Sequence, residues 1–481
     1  MNYEKIDDIK AAVYQMLPFG VSFDLIARDL VIGQTPALLL CVNGFISTDN
    51  QEKLLSSLQD IKADSLNGQE LAAYLTTKIP FAGVELVSMS NPQRFCTTLL
   101  EGPALLCLEG VTSAIAIDVR SYISRSIEEP DSEKISGGAK DGFNESLVTN
   151  TSLIRRRIRS RDLVFSLTKI GSHSQTDVVV AYKHSVADQQ LLNKIMTDLS
   201  HVQADSLTMG AQSLAELLLP KKWWSPLPSF RLTSRPDVAC SYLEEGYILL
   251  MVDTSPQVII LPCSLFQFTQ SPEDYCNAPL VGTYSRWIRF ICIPVNLFLL
   301  PLFLLLTVYY PKITQELALL SQPLTKTRLI FYTFAAEFLL DLLKHSTEQS
   351  DSRRAGTLSI IGGLIIGDMA INMHWVSPEI LFYAGFTLLT SLSLPSAEFA
   401  DALRTYRVIL LVLTAAFGLP GFIAAIVITL LSIATTPVYG PYSYLWPLIP
   451  FRWKALKSLL MRYPTVKKQP PKRSGDRTRS G

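Results

Sequence analysis

One short apolar segment, "SIIGGLIIGDMA" at 359–370, holds the residues whose types and spacing could support ion conduction. Ile361, Ile365 and Asp368 follow one another at intervals of four and three positions, so they share one face of a helix. Repeated around a symmetric ring, these pore-lining candidates would form an apolar constriction beside a ring of carboxylates. That arrangement is typical of a hydrophobic gate with a preference for cations.

Two glycines in the same segment predict close helix packing. Gly363 and Gly367 are four residues apart, which is the spacing of small residues that lets membrane helices approach each other. A plainer interpretation fits the same residues: Asp368 pairs with a basic group or lies near an interface, and the glycines only pack. The residues alone leave both interpretations open, although an acid inside a membrane segment favours a function.

Long uncharged runs place this segment in a membrane domain, predicted over 285–435. Phe290–Tyr310 and Val408–Ile433 carry no charged residue, and at a rise of ~1.5 Å per residue each exceeds the ~30 Å hydrocarbon core of a bilayer. Between them, 357–372 and 377–395 are predicted as two brief helices. These four helices together predict four crossings.

A further helix, 327–344, is predicted to be amphipathic. Its polar residues form one stripe, spaced by four, four and three positions, against Leu, Ile and Phe elsewhere: Thr333, Glu337, Asp341 and Lys344. Such a helix lies at the membrane interface or lines a wet cavity.

The first half of the chain contains an internal repeat. Four residues of the segment 92–102 recur with the same spacing at 236–246: Pro92, Cys96, Leu99 and Gly102 return as Pro236, Cys240, Leu243 and Gly246. Each copy predicts an apolar strand, two helices, a helix that Pro opens and Gly closes, and a two-stranded hairpin. We therefore expect tandem α/β subdomains at 1–120 and 163–280, followed by an all-α multi-pass membrane domain.

A linker at 121–162 joins the two copies and contains a run of arginines. Arg155, Arg156 and Arg157 are candidates for contact with a neighbouring subunit, or for binding an anionic headgroup. The alternative is a solvated helix face paired with acids, and a helix over 150–158 would spread the three guanidinium groups around its axis.

Composition argues against several classes of function. The net charge of +1 gives no bias towards nucleic acid. The seven cysteines are scattered, which predicts reduced thiols, and the five histidines lack ligand spacing, so no metal is expected. No catalytic motif or cofactor loop is found, which argues against an enzyme.

Charge at the two ends predicts orientation. The first residues, "MNYEKIDDIK", do not read as a secretory signal, which predicts that the α/β half stays in the cytoplasm. The tail, 436–481, is rich in Lys and Arg after Phe451 and is expected to be cytoplasmic as well. Both ends on one side require an even number of crossings.

Several distinctive motifs follow one another from about residue 20 to 450. The most specific is "DGFNESLVTNTSLIRRRI" at 141–158, and others are "SPEDY" at 271–275, "IIGGLIIG" at 360–367 and "WPLIP" at 446–450. In this order they resemble the GerA family, the A subunits of bacterial spore germinant receptors. The resemblance implies a multi-pass protein of the spore inner membrane. Its implied partners are a permease-like B subunit that binds the nutrient and a lipoprotein C subunit, together with membrane lipid.

The resemblance also implies a mechanism. Copies of the A subunit would form a homo-oligomeric ring, for which a pentamer is one stoichiometry, and nutrient binding would open a cation channel that starts germination. Two other classes remain open: a membrane scaffold or signalling subunit without a pore, and a transporter component. A transporter would need inverted membrane repeats, and 288–433 shows no such symmetry.

Overall fold

The computed structural model describes residues 5–61, 68–121, 138–218, 225–317, 319–320, 324–348, 367–369, 371–372, 377–440 and 442–462. The chain divides into two compact units. The α/β unit holds the described residues up to Cys263 except 225–229, and the helical unit holds 225–229 and the described residues from Ser264 onwards.

The first sheet of the α/β unit has five antiparallel strands in the order β1-β2-β4-β5-β3. Its elements follow along the chain as α1 (Ile6–Met16), β1 (Leu25–Ile32), β2 (Thr35–Val42), α2 (Thr48–Gln59), α3 (Gly68–Lys78), β3 (Val84–Ser88), α4 (Pro92–Glu101), β4 (Ala104–Leu108) and β5 (Ser113–Ile117).

Both faces of this sheet are covered, which explains why its central strands read as unbroken apolar runs. Leu38 and Leu40 of β2 point into a core shared with α1 and α4, whereas Leu39 and Cys41 point into a second core shared with α2 and α3. Alternate side chains of one strand therefore serve two cores.

The second sheet repeats the first. Its order is β6-β7-β9-β10-β8, also antiparallel throughout. The elements are α5 (Leu147–Arg157), β6 (Leu163–Ile170), β7 (Thr176–Lys183), α6 (Gln189–His201), α7 (Ala211–Leu218), β8 (Arg231–Thr233), α8 (Pro236–Glu244), β9 (Ile248–Val252) and β10 (Val258–Leu261). An α/β region with two sheets is therefore confirmed.

The helices that Pro opens and Gly closes form as the sequence predicts. Pro92 lies at the first position of α4, Asn91 caps that helix by accepting a hydrogen bond from the Arg94 amide, and Gly102 ends it with a φ of +111°. Gly246 follows α8 with a φ of +86°. Part of the segment predicted as a linker, α5, packs with α8 into the core beside the second sheet.

The second unit is helical, as the sequence predicts. After a 3₁₀ turn at Leu265–Thr269 come α9 (Glu273–Cys276), α10 (Pro279–Tyr309), α11 (Pro311–Glu316), α12 (Lys326–Glu348), α13 (Pro378–Leu392), α14 (Ala397–Phe417), α15 (Leu419–Ala434) and α16 (Trp453–Leu460). Among the described residues, α10 is the one helix long and apolar enough to cross a membrane, and α13 and α15 are shorter apolar helices.

The predicted single span over Val408–Ile433 is wrong, because two helices share this run. α14 ends and α15 begins at Gly418, whose φ of +65° is a left-handed conformation that favours glycine. Pro420 lies in the first turn of α15, and the position of a Cβ at Gly421 would be 2.0 Å from the carbonyl oxygen of Leu413. Apolar residues thus continue through a tight corner rather than through one straight helix.

Candidate functional site: a buried charge network in the helical unit

The predicted pore segment is described only at its end. Ile361, Gly363 and Ile365 lie outside the described residues. The carboxylate of Asp368 is exposed and accepts a hydrogen bond from the Asn372 side-chain amide at 3.1 Å. A pore-lining role for these residues stays a prediction.

Against the residues that the structure describes, the Cβ position of Gly367 has more room than close helix packing requires. A Cβ at this position would lie 3.8 Å from Leu381, which is an ordinary van der Waals contact. Tight packing at Gly367 therefore stays a prediction about contacts with other copies.

The arginine run at the end of α5 separates into three environments. Arg155 is fully buried: its Nε donates to Asp24 at 2.7 Å, and its remaining nitrogens donate to the carbonyl oxygens of Ser160 and Leu163. Asp24 precedes β1 in the first subdomain, so this ion pair joins the two subdomains inside the α/β unit. The Arg155 guanidinium is thus withdrawn from any surface, because the helix turns this position into the core.

The two following arginines lie nearer the surface. Arg157 pairs with Asp141 at 2.5 Å and is partly buried, whereas Arg156 is exposed. The acid-paired interpretation thus fits Arg157, and contact with a neighbouring subunit stays a prediction that Arg156 is best placed to fulfil.

The polar stripe of α12 meets a complementary stripe on α14. Glu337 accepts two hydrogen bonds from Arg407, from Nη2 at 2.6 Å and from Nε at 2.9 Å. One turn further along, Asp341 lies 3.4 Å from Arg404, and Lys344 donates to Asp401 at 2.6 Å. The stripe thus forms an interface between two helices, in which three carboxylates balance three cations.

The pair of Glu337 and Arg407 is also joined to two further helices. Arg407 Nη1 donates to the side-chain oxygen of Asn296 at 2.9 Å, and Asn296 lies on α10. The amide nitrogen of Asn296 donates to the carbonyl oxygen of Thr387 at 3.0 Å and to the hydroxyl of Thr390 at 3.2 Å, both on α13. Four helices therefore converge on one hydrogen-bonded chain.

Burial makes this network costly to build. Arg407 and Glu337 are 3% and 4% exposed, and Asn296 is completely buried. A charged pair removed from water loses solvation that only good geometry and further hydrogen bonds recover. Ionisable groups kept among apolar helices usually mark an ion path, a relay or a switch.

A cavity of about 330 Å³ lies at the outer end of the network. Its polar lining comes from Asp341, His345, Asp401 and Arg404, and its apolar lining comes from Phe338 and Leu342. The chain of charges therefore runs from a fully buried pair on α12 and α14 to a polar cavity.

Two buried cysteines of the first sheet are unsuited to nucleophilic chemistry. Burial raises the pKa of the Cys41 thiol to about 11 and that of Cys107 to about 12, so both stay protonated at neutral pH. Among the described residues, no group of three or more His, Cys, Asp and Glu side chains could hold a metal ion.

Comparison with known families identifies the chain. The family model of the Bacillus/Clostridium GerA spore germination protein matches residues 15–473. The chain belongs to the GerA family. Stage V sporulation protein AF of Bacillus subtilis (strain 168) is 32% identical over 92% of this chain and 89% of that protein. Spore germination protein KA of the same organism is 27% identical over 92% of this chain and 82% of that protein.

Similarity to this GerA-family chain is also found among solved structures. One such structure is the crystal structure of the N-terminal domain of the A subunit of the Bacillus megaterium spore germinant receptor GerK3. The match has 24% identity and a TM-score of 0.40, and it covers 53% of this chain and 94% of that chain.

Two features of the GerA-family site escaped the sequence reasoning. Asn296 stands inside an apolar run and carries no charge, so only its isolation among Leu, Phe and Pro marks it. The partners of the α12 stripe are the second feature. Asp401, Arg404 and Arg407 stand at intervals of three, and this spacing is the signal that matches the α12 stripe.

Proposed function

We propose that this chain is the A subunit of a nutrient germinant receptor in the spore inner membrane. Several copies form a ring that opens a cation path when a permease-like B subunit binds the nutrient, with a lipoprotein C subunit completing the complex. Membership of the GerA family supports the receptor role. The observation that carries the conducting role is the buried chain of Glu337, Arg407 and Asn296.

The network supports conduction because it joins the helices that would have to move. It links α10, α12, α13 and α14 through charged hydrogen bonds, so sliding one helix past another breaks these bonds together. A structure with two discrete arrangements is what a gate requires. The constriction itself would be formed by Ile361 and Ile365, with Asp368 near its mouth.

The topology belongs to the same proposal. We propose an even number of crossings, so that the α/β unit and the basic tail both face the spore core. The apolar length of α10 and the shorter apolar helices α13 and α15 support a membrane position. Attachment of a membrane-impermeant thiol reagent at single cysteines introduced into connecting loops would test which side each loop faces.

Dormant spores provide the test of the proposed function. Replacing Ile361 with Ala is expected to widen the constriction, so spores should release monovalent cations without nutrient and lose dormancy. Ile361→Val serves as the matched control, because it keeps a branched apolar side chain. Unchanged dormancy in the Ala strain, at normal levels of the protein, would contradict the conducting role.

Assembly is tested separately. Charge reversal of the exposed Arg156 to Glu is expected to dissociate the complex on a native gel, whereas reversal at the exposed Arg328 on α12 is not. A complex that stays intact in the Arg156→Glu protein would refute the proposed subunit contact.

A further inference from the structure

Three arginines and one carboxylate lie together where α10 begins. We call Asp274, Arg286, Arg289 and Arg462 the foot cluster. Asp274 pairs with Arg286 at 3.0 Å and with Arg289, and all three side chains are at least nine-tenths buried. Arg462 contacts neighbouring carbonyl oxygens instead of the carboxylate, so the four side chains together carry three positive charges against one negative charge.

The backbone holds Arg462 beside Arg286. The position of a Cβ at Gly282 would be 3.2 Å from the side chain of Arg462, and Gly282 lies one turn before Arg286 on α10. Both guanidinium groups lie over the ring of Tyr275, at 5.3 and 5.6 Å from its centre. The two cations therefore occupy one small region of the foot.

Carbonyl oxygens accept hydrogen bonds from only some of the N–H groups of Arg286 and Arg462. Arg286 Nη1 donates to Ser458 and Leu459, and Arg462 donates to Asn277 and Tyr275. Within the described part of the chain, Arg286 Nη2 and Arg462 Nε are buried and have no hydrogen-bond partner. Buried guanidinium donors without an acceptor are costly, so the cluster is poised for an anion.

The surface around the foot cluster suits the headgroup region of a bilayer. Tyr284 and Trp287 on α10 and Trp453 on α16 are half-exposed or more, and Trp287 donates to the carbonyl oxygen of Leu460, which ties α16 to α10. Aromatic side chains of this kind concentrate at membrane interfaces.

The chain next to α16 combines apolar and basic side chains in the same way. Ile449, Phe451 and Trp453 are exposed apolar residues, and Lys454 and Lys457 are exposed cations. Alternation of exposed apolar and basic side chains on a short amphipathic helix favours an anionic lipid surface.

We infer that the foot cluster binds the phosphate of an anionic phospholipid, with the Nη groups of the half-buried Arg462 as the donors nearest the surface and α16 lying on the leaflet. The excess positive charge selects an anionic headgroup over a zwitterionic one. The lipid would fix the foot of α10 in the plane of the membrane, and this role is independent of whether the chain conducts ions.

Titration of the purified full-length protein with short-chain phosphatidylglycerol, followed by native mass spectrometry, tests this inference. Arg462→Gln is expected to weaken binding by about tenfold, since a hydrogen bond between charged groups contributes about this factor. Arg328→Gln, which removes one exposed cation elsewhere in the helical unit, should leave binding unchanged. Equal binding by the Arg462→Gln and wild-type proteins would overturn the inference.

Three further measurements use the wild-type protein, so they do not depend on the folding of a variant. Short-chain phosphatidylcholine should bind at least tenfold more weakly than phosphatidylglycerol, and higher salt should weaken phosphatidylglycerol binding. Equal binding of the two lipids, or no effect of salt, would contradict an electrostatic headgroup site. Displacement of the lipid by an equal concentration of inorganic phosphate would show a free-phosphate site instead.

Discussion

The carboxylate of Glu337 accepts two hydrogen bonds from the guanidinium of Arg407, and both side chains are almost completely buried between α12 and α14. Arg407 also donates to Asn296, so a third helix depends on the same guanidinium. This one ion pair therefore connects three helices, so the stability of the helical unit and any movement of these helices depend on it.

Replacing one member of this ion pair should lower the free energy of unfolding more than its charge-removing double replacement would suggest, because a single replacement leaves the other charge buried without a partner. Glu337→Leu leaves the Arg407 charge buried without its carboxylate, and Arg407→Met leaves the Glu337 carboxylate buried without its guanidinium. We expect each single replacement to lose about 3–5 kcal/mol in the free energy of unfolding. The double replacement Glu337→Leu with Arg407→Met removes both charges, so it should lose much less than the sum of these two losses. Chemical denaturation in detergent measures all three. Strict additivity would contradict a direct interaction.

Adjacent arginines on α5 should respond differently to the same substitution. Arg155→Ala strands the buried Asp24 carboxylate and should cost about 3–5 kcal/mol in the free energy of unfolding of the α/β unit. Arg156→Ala changes an exposed side chain and should stay within about 0.5 kcal/mol. Denaturant titration of the full chain, followed by far-ultraviolet circular dichroism, compares the two. Similar losses would show that the Asp24–Arg155 ion pair does not stabilise the α/β unit.

Alkaline pH should destabilise the first sheet through the Cys107 thiol. Burial raises its pKa from 9.0 to about 12, so the folded state holds a proton that the unfolded state releases above pH 9. The protonated thiol makes its full contribution to the free energy of unfolding below pH 9. This contribution declines as the pH rises towards 12, and at pH 10.5 it is lower by about 2 kcal/mol. Stability measured from pH 8 to 10.5 should therefore fall less steeply in Cys107→Ala. The exposed Cys276, changed to Ala, provides the control, and identical slopes in all three proteins would refute the assignment.

The corner between α14 and α15 should tolerate no side chain at Gly421. A methyl group there would overlap the carbonyl oxygen of Leu413, so Gly421→Ala should destabilise the helical unit by about 2 kcal/mol or more. Among the described residues, no atom lies within 4 Å of the Cβ position of Gly385 on α13, and Gly385→Ala should stabilise the helical unit by up to about 1 kcal/mol because alanine favours helix. Thermal unfolding of both variants gives the comparison. Equal changes in the melting temperature of the two variants would contradict a tight corner at Gly421.

The repeated α/β pattern was readable because central strands and capped helices leave strong local signals. The hairpins at β4–β5 and β9–β10 and the helices opened by Pro92 and Pro236 form as predicted. All four edge strands were missed: β1, β3, β6 and β8. β1, β3 and β6 mix exposed and buried residues, and β8 has only three residues. Edge strands of this kind depend on their neighbours in the sheet rather than on their own periodicity.

Contacts between residues that are far apart in the sequence could not be predicted in the same way. The stripes of α12 and α14 are each visible in the sequence, but nothing local states that their faces meet. Asp24 and Arg155 are likewise far apart along the chain and are joined only by the docking of two subdomains. The break at Gly418 was hidden for a different reason: hydrophobicity reports burial or lipid contact, not the direction of the chain.

Planar-bilayer recording of the purified oligomer tests the central claim most directly. We predict discrete cation-selective openings, with a higher open probability in Ile361→Ala than in Ile361→Val. An intact oligomer that inserts into the bilayer and conducts no ions in either variant would contradict the conducting role and would favour a scaffold without a pore.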